Sequence, residues 1–138
     1  MARIYAQFAA LVFLIVGAGG FLTGDAGHIV DHHASGNFDG VALHLTYLRN
    51  VLDLALAGAF AYAGWFADDS RGRTAVLTAS ALLLLLAVIG FIHADDVTGT
   101  QAIATLHFPL AINVFDLIAG VLGILCALGE YAEEPVPA

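Results

Sequence analysis

Two stretches decide how this chain is read: NVLDLALAG (residues 50–58) and NVFDLIAGV (residues 113–121). Both carry Asn-Val-x-Asp-Leu, 63 residues apart, and both set an aspartate inside an apolar run. An ionised carboxylate in the middle of a membrane helix costs at least about 2.5–3.5 kcal/mol on insertion scales. Two of them at matched places therefore point to a shared internal partner.

The rest of the composition fits that setting. The 138 residues are 60% hydrophobic and 12% charged, more apolar surface than a soluble domain of this size can bury. Net charge is −8, lysine is absent, and the only cationic side chains are Arg3, Arg49, Arg71 and Arg73. That balance excludes a nucleic-acid partner, which needs a basic face for phosphate, and argues against docking on anionic lipid. The single Cys126 excludes an internal disulfide and a cysteine-based metal cage.

A helix needs roughly 20 apolar residues to cross the ~30 Å hydrocarbon layer. Four segments meet that length, about residues 4–23, 43–66, 75–92 and 108–128. The expected fold is an all-α membrane protein: a single domain over residues 1–138 with four transmembrane helices and a flexible tail, residues 129–138, that ends in PVPA. Span one is expected to be a retained helix, because no small-x-small cleavage site follows it. Arg3 precedes span one, and Arg71 and Arg73 lie between spans two and three, so the positive-inside rule places both termini in the cytoplasm. All six histidines then fall at or beyond the outer face, His28, His32 and His33 in the first outer loop.

The match between the halves extends past the opening phrase. Span one ends GFLTGD (residues 20–25) and span three ends GFIHAD (residues 90–95), 70 residues apart. The pattern predicts a tandem repeat of two helical hairpins, related by a pseudo-two-fold axis along the membrane normal. Positions three or four apart share a helix face, so Thr46, Asn50, Asp53 and Ala57 form one line. Pro109, Asn113, Asp116, Gly120 and Gly123 form the other. Each line is polar in its outer half and small in its inner half, as a buried helix contact in a membrane requires. Asp53 and Asp116 lie roughly 10 residues below the outer edge, about 13–15 Å deep at 1.5 Å per residue. Arg49, one turn above Asp53, is the available counter-charge. The expectation is an internal polar network of Arg49, Asp53 and Asp116, with Asn50 and Asn113 as hydrogen-bond partners.

Four spans, a Gly-Phe end to span one and a repeated Asn-x-x-[polar]-Leu at spans two and four resemble the small bacterial four-helix membrane proteins called "domain of unknown function 4383". The resemblance covers most of the chain through short motifs. It implies a four-helix bundle in a bacterial cytoplasmic membrane and carries no established activity. In that family the polar position is usually histidine, whereas Asp53 and Asp116 hold it here, so no histidine-based role transfers to those positions.

Two other clusters carry candidate chemistry. His28, Asp31, His32 and His33 lie in HIVDHH, where His28 and His32 would share one face of a helix; imidazole and carboxylate suit a zinc- or copper-type ion. The competing reading is a solvated acidic loop. His44 and His107, at the outer ends of spans two and four, are the best-placed pair for axial haem ligation. No cofactor is favoured over none. No nucleophile-and-base motif, phosphate loop or nucleotide fingerprint appears. The expected function is a non-catalytic accessory or structural subunit, packed in the bilayer against other membrane subunits or copies of itself. The alternatives are a small proton-coupled transporter or proton-conducting module using Asp53 and Asp116, and a metal- or haem-binding subunit on the outer face.

Overall fold

The computed structural model of the chain describes residues 1–23, 37–38, 41–42, 45–93, 102–103 and 106–129. Within them the chain is helical, with α1 (Ala2–Thr23), α2 (Tyr47–Ala61), α3 (Asp69–His93) and α4 (Leu110–Gly129). Two antiparallel pairs of two-residue strands lie ahead of α2 and α4: β1 (Asn37–Phe38) with β2 (Val41–Ala42), and β3 (Ala102–Ile103) with β4 (Leu106–His107). Helices α1, α3 and α4 are long and apolar enough to cross a membrane. Helix α2 has 15 residues and continues directly into a five-residue π-helical turn, Tyr62–Phe66. The wide turn closes with Ala67 N–H donating to the Tyr62 carbonyl at 2.9 Å. Gln7 Nε2 donates to the Gly64 carbonyl (3.0 Å) and Arg3 to the Ala67 carbonyl (2.9 Å), which ties the turn to α1.

Helix ends differ from the sequence expectation where capping outweighs hydropathy. Helix α3 begins at Asp69, inside the charged run read as a loop ahead of residue 75. Asp68 Oδ1 accepts the Arg71 N–H at 2.9 Å, and Asp69 sits in the first turn, where the helix dipole favours negative charge. Helix α2 begins at Tyr47 rather than residue 43, because extended Thr46 (φ −79°, ψ 161°) caps it by accepting the Arg49 N–H at 3.4 Å. Gly129, assigned to the tail from sequence, closes α4; residues 130–138 lie outside the described residues.

Packing is tightest within each sequential pair, α1 along α2 and α3 along α4. Between the pairs, α1 meets α3 and α4, and α2 meets α3, while α2 and α4 hardly approach each other through their backbones. The bundle thus has a short diagonal through α1 and α3 and a long one between α2 and α4. The buried faces keep constant offsets. Ala6, Ala9, Ala10, Phe13, Gly17 and Gly20 are buried in α1; Val76, Ala79, Ser80, Leu83, Ala87 and Gly90, each 70 residues on, are buried in α3. Arg49, Asn50, Asp53, Ala57 and Phe60 in α2 correspond at 63 residues to Ile112, Asn113, Asp116, Gly120 and Gly123 in α4, all buried.

Within each pair, a glycine and an asparagine lock together the helix halves farthest from the Tyr62–Phe66 turn. Gly20 of α1 faces Asn50 of α2, and Gly90 of α3 faces Asn113 of α4; a Cβ at either glycine would overlap the amide oxygen. The Cα hydrogen in that place points at Oδ1, a weak C–H···O contact of about 0.5–1 kcal/mol that only glycine can offer here. Gly20→Ala and Gly90→Ala should each destabilise the protein by roughly 1–3 kcal/mol through overpacking. Gly58→Ala, whose Cβ meets nothing within 4 Å, should leave stability unchanged or raise it. Thermal unfolding in detergent checks all three.

Candidate functional site: one arginine between two aspartates

The site is built on the long diagonal. Arg49 leaves the first turn of α2 and reaches across the bundle to Asp116 on α4. Its Nη1 donates to Asp116 Oδ2 at 2.8 Å and its Nη2 to Asp116 Oδ1 at 2.7 Å, a bidentate fork. On its own helix, Nε donates to Asp53 Oδ2 at 3.2 Å and Nη2 lies 3.0 Å from Asp53 Oδ1. Arg49, Asp53 and Asp116 are all within 1% of complete burial. Arg49 leads the fully buried side chains by volume among the described residues. Only a long side chain spans this diagonal, and only a planar guanidinium binds two carboxylates through parallel donors.

The arrangement follows from local sequence. Thr46 caps α2 so that Arg49 and Asp53 fall one turn apart on the inward face. Asp116 stands at the matching place in α4, where position 112, the counterpart of Arg49, holds buried Ile112. The site therefore has two carboxylates for one guanidinium, and with both ionised it carries one excess negative charge.

An aromatic layer lies between the site and the Tyr62–Phe66 turn. Phe60, about two turns or roughly 10 Å further along α2, stacks on Phe13 with ring centroids 5.7 Å apart. Phe13 also contacts Phe115 at 5.2 Å, and Tyr5 meets Phe60 edge-on at 5.7 Å. Beyond that layer Tyr5 Oη donates to the Ala119 carbonyl at 2.6 Å.

Of the residues singled out from sequence, the structure brings Arg49, Asp53 and Asp116 together and sets Asn50 and Asn113 apart from them. Asn113 Nδ2 donates to the Phe108 carbonyl at 3.0 Å, and neither polar atom of Asn50 has a hydrogen-bond partner among the described residues. Both amides lie against their glycines instead of bonding to the carboxylates, because Gly20 and Gly90 leave room on the hairpin side. His107 is buried at the end of β4, while His44 lies outside the described residues, as do His28, Asp31, His32 and His33. Among the described residues, no group of three or more His, Cys, Asp or Glu side chains could hold a metal ion. The Phe13–Phe60–Phe115 layer and the glycine contacts of Asn50 and Asn113 were not anticipated. One available signal was overlooked: Leu43-His44 and Leu106-His107 extend the match upstream at the same 63-residue offset.

No family model matches the chain, and no curated protein or solved structure does.

Removing one member of a buried ion group strands the others. Arg49→Met should cost about 3–5 kcal/mol. Replacing all three members together, Arg49→Met with Asp53→Leu and Asp116→Leu, should recover most of that loss, since a well-packed apolar substitute is often neutral or stabilising. Comparing unfolding midpoints of the single and triple variants in one detergent measures both effects.

Proposed function

We propose that the chain is a non-catalytic integral membrane protein, a tandem-duplicated hairpin whose halves are held together by the Arg49–Asp53–Asp116 clamp. Its apolar exterior serves to pack against other membrane subunits or further copies of the chain. Three helices able to cross a membrane, with α2 extended by its π turn as the fourth, support the four-span reading. The constant 70- and 63-residue offsets of the buried faces support the duplication. The observation that carries the clamp is closure: the guanidinium's bonds end on two fully buried carboxylates. Both termini on the cytoplasmic side follows from the arginines, three of which cluster at the turn end of the bundle. Large apolar side chains such as Leu22, Phe66 and Ile92 are exposed along the outside, as a lipid- or subunit-facing surface requires.

The excess carboxylate favours a second reading, a proton-coupled module using Asp53 and Asp116, since intramembrane acids mark proton pathways by default. One set of measurements separates the two. Under the clamp reading, the protein extracted from native membrane migrates as an oligomer or with partner chains, and proteoliposomes show no proton flux above empty vesicles. A monomer that brings nothing with it contradicts the packing role. Proton flux that disappears in folded Asp53→Asn/Asp116→Asn protein favours the second reading instead.

A further inference from the structure

The two seams between the hairpins are filled differently. The α1–α4 seam holds a groove of about 160 Å³, whereas the groove in the α2–α3 seam measures about 360 Å³. At the offsets of 63 and 70 residues the two linings correspond at every position but Phe13, which lines the α1–α4 groove alone. Ala55 and Ala59 on α2 stand where α4 carries Ile118 and Leu122. Ala75 and Thr78 on α3 stand where α1 carries Tyr5 and Phe8. At these four positions the narrower seam carries large side chains and the wider seam small ones.

We propose that the α2–α3 groove binds one acyl chain of an anionic glycerophospholipid, with its phosphate on Arg71. Arg71 lies one turn before Ala75 on the groove line that continues through Thr78 and Leu82. Its side chain is 76% exposed, and its approach to Asp68 is an ion pair of Nε with Oδ2 at 3.4 Å, so the guanidinium stands open to solvent at the end of the groove. The corresponding position in the filled seam is Met1. The chain's overall charge of −8 opposes adsorption to an anionic surface, yet three of its four arginines gather at this end. Length also fits: Arg71 to Leu82 spans roughly 16 Å at 1.5 Å per residue, about half of a ~30 Å hydrocarbon layer and so one leaflet's chain.

The inference rests on the membrane reading alone, not on subunit packing. Native mass spectrometry of the full chain from nanodiscs of phosphatidylglycerol, phosphatidylcholine or both tests it. The expected result is about one retained lipid per chain, with phosphatidylglycerol preferred roughly fivefold, the effect of one arginine near a charged headgroup. Arg71→Gln should abolish the preference while keeping a retained lipid. Ala59→Leu with Thr78→Phe, which supplies the bulk found in the other seam, should abolish retention. No retained lipid in the unaltered protein, equal retention of both lipids, or retention unchanged by the groove substitutions overturns the proposal. So does loss of a co-purifying protein, with lipid unchanged, when the groove is filled; that outcome assigns the groove to a partner helix. Oligomeric state, read in the same spectra, reports on subunit packing separately.

Discussion

A guanidinium buried in an apolar bundle tolerates no vacancy beside it, and that constraint organises this structure. Arg49 is buried, and its guanidinium is met by Asp53 and Asp116. In such a setting neither a lone arginine nor a lone aspartate is affordable, so α2 and α4 must sit at the separation and rotation that let all three meet. The Arg49 side chain bridges the long diagonal, while α1 and α3 approach each other along the short one. A buried ion group of this kind is weak evidence of net stability, because desolvation offsets much of the attraction. Its value lies in register: a one-residue slip or a rotated hairpin would strand a charge at a cost of several kcal/mol.

Around that centre the two hairpins are alike in what they bury and unlike in what they do with it. Each sets an asparagine on a glycine and an aspartate one turn further in. Only one supplies an arginine; the other has Ile112 at the matching position. The asymmetry leaves two carboxylates on one guanidinium. The unequal seams follow the same pattern. Tyr5, Phe8 and Phe115 line one seam, and Ala75, Thr78 and Leu52 stand at the matching places in the other.

Much of this was legible in the sequence because the signal was repetition against a plain background. Asn-Val-x-Asp-Leu twice, with GFLTGD and GFIHAD before it, picked out the matched positions, and the four-residue spacing of Arg49 and Asp53 put a cation on the right face. Hydropathy located the apolar segments and misplaced their ends. The start of α3 was hidden because ADDSRGRT is as charged as a loop, while its Asp68 acts locally as a cap. The roles of Asn50 and Asn113 were misassigned for a different reason. Helical spacing says which face a side chain shares but not which neighbour stands opposite, and the glycines opposite them lie on other helices. The diagonal placement of α2 and α4, the aromatic layer and the difference between seams are properties of three-dimensional packing, with no local signature in the chain.

The most direct test of the account moves the arginine. Ile112 lies one turn before Asp116, as Arg49 lies one turn before Asp53, so the proposed equivalence of the halves predicts that the cation works from either side. The measurement is the unfolding midpoint of Arg49→Ile compared with that of Arg49→Ile combined with Ile112→Arg. The account predicts that the single substitution is strongly destabilising and that the second substitution restores most of the loss by rebuilding the clamp from α4. A double variant as unstable as the single one, or less stable, would contradict it.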